Sequence, residues 1–156
     1  MAARCFSGVA EQMREAIGSI VFLDAFLPAN GDSVVAKAAQ PVREAIAGLV
    51  EKGESTMKPV PAAVFRVNEK DRAWVDAMCT PHPLATLTDK ITLTGARYRI
   101  AKKAYIRAKG YPSVPFDGVY DALKTNSAWR VYDVPSGHDV MVDMPDRLTE
   151  ILLEVA

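Results

Sequence analysis

The run Ile20-Val-Phe-Leu23, opened by Ser19 and closed by Asp24, is continuously apolar and rich in β-preferring residues. Turn signals bound it, with Gly18 on one side and Pro28-Ala-Asn-Gly31 on the other. Such a run predicts a strand buried on both faces, the kind found in a parallel sheet covered by helices. What surrounds it agrees. Residues 9–17 carry Val9, Met13, Ala16 and Ile17 at helical spacing and end at Gly18, a natural helix stop. Lys103-Ala-Tyr-Ile-Arg107 and Trp129-Arg-Val-Tyr-Asp-Val134 read as further strands, with a helix over 116–125 between them. A closing amphipathic helix from Met144 to Val155 sets Leu148, Ile151, Leu152 and Val155 on one face.

Strands alternating with helices imply βαβ units and an α/β fold with a parallel sheet. Three strands make a small sheet, and a doubly wound sheet usually has more. Residues 30–95 are mainly helical and punctuated by proline. Within them, 33–53 carry helical spacing broken at Pro41, with Asp32 or Ser33 as candidate cap. Lys58-Pro-Val-Pro61 reads as an extended linker, 69–78 as a short helix bearing Trp74, and Thr80-Pro-His-Pro83 as a stiff turn.

The chain has 156 residues, the size of one domain, and 19 basic against 19 acidic side chains. A net charge of zero offers no electrostatic reason to expect nucleic acid or an anionic membrane as partner. It also removes charge repulsion as a guard against self-association. No apolar run approaches the ~18 residues needed to span a bilayer. The segment from Met1 to Gly8 lacks a signal-peptide core. Cys5 and Cys79 fit neither a metal spacing nor a disulfide framework. A cytoplasmic protein is expected, with no cofactor and no metal, since His82 and His138 alone cannot make a zinc site.

His138 lies in Pro135-Ser-Gly-His-Asp139, on a glycine-marked turn between a strand and the closing helix. A loop at a strand end is a common place for a general base. A structural histidine on a turn is the competing reading. His82, between two prolines, reads as a turn residue before it reads as a pocket residue. Trp74, Phe65 and Met78 read as packing within the 30–95 segment.

Four stretches occur together in order: Ile20-Val-Phe-Leu-Asp-Ala-Phe-Leu-Pro28 with Asn30-Gly31, Thr80-Pro-His-Pro-Leu84, Ala104-Tyr-Ile-Arg107, and Gly137-His-Asp-Val-Met141 with Pro145. In order and spacing they resemble the C-terminal part of small α/β-hydrolases of the esterase and hydroxynitrile-lyase-like branch. The likeness runs from about Gly8 to Ala156. It implies a partial α/β-hydrolase fold forming a single domain over 1–156, with flanking helices and a helical cap inserted over about 30–95. Residues 19–24, 103–108 and 129–134 would be the family's sixth, seventh and eighth strands. It implies a serine hydrolase of small carboxylic esters in origin, although the branch also holds lyases. His138 would be the catalytic histidine.

The triad acid usually follows the seventh strand, and Lys109-Gly110 offers no carboxylate there. Asp24, after the sixth strand, is the preferred acid. Asp117 is the second choice, with a helix N-terminal charge as its ordinary explanation. Asp139 reads as a loop residue. The family's earlier strands, its oxyanion loop and its Gly-x-Ser-x-Gly elbow do not occur in the sequence, and Ser7 and Cys5 lack the elbow frame. The expectation is therefore an N-terminally truncated hydrolase, inert alone, or else a non-catalytic fragment serving as a binding or assembly module. The strand at 19–24 would then present an unpaired apolar edge, giving a marginal monomer prone to pair edge to edge or dependent on a partner, with a homodimer through that edge as one solution.

Overall fold

The computed structural model describes residues 2–156, with side chains from Cys5 onward. The reading of the extreme N-terminus includes Met1, which lies outside the described residues. Three parallel strands form the central sheet: β1 (Ser19–Leu23), β4 (Lys102–Ala108) and β5 (Arg130–Val134), side by side in the order β1-β4-β5. The fold is α/β, with helices on both faces of this sheet.

Chain order explains the layers. Helix α1 (Ala2–Met13) runs into a 3-10 turn at Arg14–Ala16 and enters β1. The helix therefore starts earlier and stops sooner than its 9–17 spacing predicts. Beyond β1 come α2 (Val34–Lys37), α3 (Gln40–Glu51), a two-residue strand β2 (Thr56–Met57), α4 (Arg72–Met78), the short strand β3 (His82–Pro83) and α5 (Ala85–Thr88). The single helical stretch expected over 33–53 is thus two helices. Ser33 caps the first, its Oγ accepting from Ala36 N at 3.2 Å. Pro41 sits in the first turn of the second, where its missing N–H is no loss. The stiff turn at 80–83 is also more than a turn, because His82 and Pro83 pair antiparallel with Met57 and Thr56.

After β4 the chain forms α6 (Val114–Leu123), β5, the short α7 (Val140–Asp143) and the closing α8 (Pro145–Val155). One face of the sheet carries Ile20, Phe22 and Tyr105, packed with Ala10 of α1 and Leu123 of α6. The other face carries Ile106, Ala108 and Val134 against Val140 and Ile151. The 30–95 region has small cores of its own, one of Ile46, Leu84 and Leu87, another of Ala62, Val67 and Val75.

Burial on both faces, expected of 19–23, belongs to β4 instead. Every residue from Lys103 to Ala108 is buried, whereas β1 alternates, with Ile20 and Phe22 buried and Ser19, Val21 and Leu23 half-buried. The cause is position in the sheet. β4 is hydrogen-bonded on both sides, and β1 has a described neighbour on one side only. No described helix is long and apolar enough to cross a membrane.

Candidate active site

Parallel strands end at one rim, and the C-terminal ends of β1, β4 and β5 bring together residues more than a hundred positions apart. Asp24 follows β1 directly, with φ of 41°, a left-handed conformation that aspartate tolerates better than most residues. Its backbone N donates to Ile106 O at 2.7 Å, so the bend is pinned to β4. That bend sends the carboxylate inward, where it is fully buried.

The carboxylate is met at both oxygens. Oδ1 accepts from Arg107 Nη1 at 2.7 Å and from Ala108 N at 3.1 Å. Oδ2 lies 2.7 Å from His138 Nδ1. An ionised carboxylate only accepts, so Nδ1 carries the proton, and in a neutral ring Nε2 then presents its lone pair. The His138 side chain is 27% exposed, enough for a substrate atom to reach it. No described hydroxyl or thiol hydrogen-bonds Nε2.

Aromatic rings surround the imidazole. Phe65 and Tyr111 have centroids 5.1 Å from it, and Phe116 stacks on it at 5.8 Å. Phe65 comes from the 30–95 segment, so this segment contributes a wall beside His138. The His138 backbone N donates to Phe65 O at 2.8 Å.

Arg107 is 1% exposed and ties two carboxylates together. Besides Asp24 it donates through Nε to Asp117 Oδ1 at 3.0 Å and through Nη2 to Tyr111 O at 2.7 Å. Burial opposes its charge, but the bonds to Asp117 and Asp24 outweigh that and raise its pKa. Arg107 in turn holds the Asp117 carboxyl below the usual carboxylate range. Burial, with the Asp24 charge adding to it, pushes the phenols of Tyr105 and Tyr111 up.

The two carboxylates weighed from sequence therefore occupy different places. Asp24 touches His138, and Asp117 sits in the first turn of α6 on the far side of Arg107. Asp139 precedes α7 at the N-cap position without a side-chain cap bond, and burial raises its carboxyl. His82 Nε2 lies 2.5 Å from Thr86 Oγ1 beside the β2–β3 pair. Ser7 is wholly buried inside α1, accepting from Arg97 Nη1 at 3.2 Å, and is not on a strand-to-helix turn. Cys5 is exposed. Among the described residues no group of three or more His, Cys, Asp or Glu could hold a metal ion.

Arg107 and the rings of Tyr111 and Phe116 were not singled out from sequence. Arg107 had a signal, since a buried strand that contains an arginine needs a partner for it. The rings had none, because they reach His138 from separate elements.

No family model matches the chain. The carbendazim hydrolyzing esterase of Nocardioides sp. (strain SG-4G) is 37% identical over 155 residues, a match covering 94% of this chain and 64% of that protein. Among solved structures, an extracellular alpha/beta-hydrolase from a Paenibacillus species, which shares structural and functional homology with tobacco salicylic acid binding protein 2, superposes with a TM-score of 0.79. That comparison covers 99% of this chain and 68% of the other, at 20% identity. A pyrethroid hydrolase from Sphingobium faniae JZ-2 superposes with a TM-score of 0.65 at 16% identity, covering 97% of this chain and 66% of its own. The chain thus spans about 64% of the length of the curated relative it matches. With 37% identity to an esterase over 94% of the chain and a shared fold, the chain has the fold of an α/β-hydrolase and is similar to part of an esterase.

Proposed function

We propose that the chain carries the acid–base half of a serine-type hydrolase of small carboxylic esters, with His138 as base and Asp24 as its acid. The observation that carries this reading is the bond of 2.7 Å from His138 Nδ1 to a buried carboxylate, on a side chain that stays partly exposed. In this chemistry Nε2 takes the proton of a serine hydroxyl as its oxygen attacks the ester carbonyl. The tetrahedral adduct collapses, and His138 returns that proton to the leaving alcohol. A water deprotonated by the same nitrogen then attacks the acyl carbon, the bond to the serine oxygen breaks, and His138 returns the proton to that oxygen as the carboxylic acid product leaves. Asp24 holds the ring in the required tautomer and offsets the imidazolium charge. Arg107 and Ala108 N occupy the other carboxylate oxygen, which leaves Oδ2 to the ring.

The serine and the oxyanion donors would come from polypeptide other than these 156 residues. Buried Ser7 supports this, as does the lack of a described hydroxyl at Nε2. Loss of one oxyanion donor alone can cost about 10²–10³ in turnover, so the chain by itself is expected to be inert. The two exposed free thiols, Cys5 and Cys79, support a reducing, cytoplasmic setting.

A second reading has its own observation. Phe6, Val9 and Met13 lie exposed along α1. A shallow groove of about 290 Å³ runs beside them, lined by Phe6, Val9, Ile17, Ser19, Ile20 and Val21. An apolar helix stripe next to an open strand edge favours an assembly module, pairing edge to edge as a homodimer.

Hydrolysis of p-nitrophenyl acetate by the purified chain tests the expected inertness. No turnover is expected from the chain alone. Turnover abolished by His138→Ala would show that the chain supplies its own nucleophile, and would overturn the claim of inertness. An in-frame Gly-x-Ser-x-Gly segment in the DNA upstream of Met1 would favour the hydrolase over the assembly module.

A further inference from the structure

Asp143 closes α7 and takes no part in the His138–Asp24 pair. Its carboxylate is still the meeting point of two distant segments. Oδ1 accepts from Asn68 N at 2.9 Å and from Asn68 Nδ2 at 2.8 Å. Oδ2 accepts from Gly137 N at 3.2 Å, with Ser136 Oγ 3.4 Å away. One carboxylate thus holds the residue just before His138 and a residue three positions past Phe65.

The contacts around it are close. A Cβ added to Gly137 would stand 2.3 Å from Arg66 O, so only glycine fits there. Arg66 itself has φ of 58°, a strained conformation for a residue with a side chain. The bond from His138 N to Phe65 O completes the join. Val142 packs on the small core of Ala62, Val67 and Val75, so apolar contact backs the polar join.

We propose that Asp143 is a positioning residue, which ties residues 65–68 of the cap segment to the 136–138 loop and so fixes the direction of the His138 ring. It acts through the backbone of the loop and does not touch the imidazole. A ring bond to a buried carboxylate needs its backbone held within a few tenths of an ångström, and charge-assisted bonds from Gly137 N and Asn68 do that. The consequence for turnover rests on reading His138 as the base. The geometry is measurable without turnover.

His82→Ala leaves His138 as the one histidine of the chain, so its ring signals can be followed by NMR in that background. A single Nδ1–H tautomer with a slowly exchanging proton is expected. Asp143→Asn should mix the tautomers and speed exchange of that proton about tenfold, the effect of losing one hydrogen bond to a charged group. Near-UV circular dichroism reports whether the fold is retained. If Asp143→Asn does not fold, Asn68→Ala carries the test, since it removes the two Nδ2 bonds and the Oδ1 cap on Asp71 N of a half-buried residue, leaves the backbone bond from Asn68 N to Asp143, and should shift the same signals. Unchanged tautomer and exchange in a folded variant would overturn the proposal. So would a His82→Ala parent with no fixed tautomer. The expected changes in a chain that supports no ester turnover even when joined to a serine-bearing N-terminal half would uphold the positioning role and count against the hydrolase reading alone.

Discussion

The C-terminal end of β1 and its outer edge contrast. At its C-terminal end Asp24 meets Ala108 N, Arg107 and His138, and both oxygens of its buried carboxylate are occupied. Along its outer edge the strand has no described pairing partner, and the neighbouring helix leaves Phe6 57% and Met13 57% exposed. One strand therefore borders a finished polar network and an unfinished apolar flank. The network is closed by contacts within this chain, while the flank has apolar surface and backbone groups that nothing described here covers. Their responses to substitution should differ in kind.

The largest effect is expected at the corner. Asp24→Ala leaves Arg107 buried with a single carboxylate, the more exposed Asp117, and should cost about 3–5 kcal/mol, the usual result of breaking a buried ion pair. Urea denaturation followed by circular dichroism measures it. A loss below about 1 kcal/mol would mean that the network does not hold the fold.

Gly137→Ala strikes the same corner through backbone sterics. The added methyl would meet Arg66 O, and a loss of about 1–3 kcal/mol is expected, as for other overpacked sites. Gly118→Ala is the control. It lies in α6 with open space around it and should gain up to about 1 kcal/mol from helix propensity. Equal effects at the two glycines would remove the steric argument.

The flank should respond in association, with little change in stability. Phe6→Lys with Val9→Lys is expected to alter stability by no more than about 0.5 kcal/mol, as exposed sites usually do. The same pair should abolish the concentration-dependent association expected of the parent in sedimentation velocity. A parent that stays monomeric at all concentrations would contradict this account of the flank.

The smallest effect concerns Asp117. Arg107 depresses its carboxyl in the folded chain, so the stability it contributes is present above its unfolded pKa and fades as pH falls through the depressed folded value. Asp117→Asn should flatten that acid limb of the stability curve only slightly, because the side chain is 43% exposed and solvent screens the pair. A steep limb surviving the substitution would assign it to other carboxylates.

Much of the fold was legible locally. The apolar run at 20–23, the alternation at 129–134 and the helical spacing at 144–155 each reflect a periodicity that a few neighbouring residues determine. The boundaries were less so. The start of α1, the split between α2 and α3 and the pairing of His82 with Met57 depend on caps and partners outside any local window. Burial was misjudged at β1, because strand order decides which strand is central, and strand order is a long-range property.

The site divides the same way. His138 stands out on its glycine turn and Asp24 at its strand end, because both positions are marked by their neighbours in the chain. Residue types and spacing determined an α/β fold, a zero net charge, a histidine on a loop and a carboxylate ending the first strand. Only the tertiary structure decided that Asp24 and not Asp117 touches the imidazole, that Arg107 is shared between them, and that three rings and Asp143 frame His138. The physical reason is that local pattern sets which way a side chain faces. Which distant side chain it faces depends on the register and order of parallel strands, here Leu23 beside Ile106 and Ala108 beside Val134.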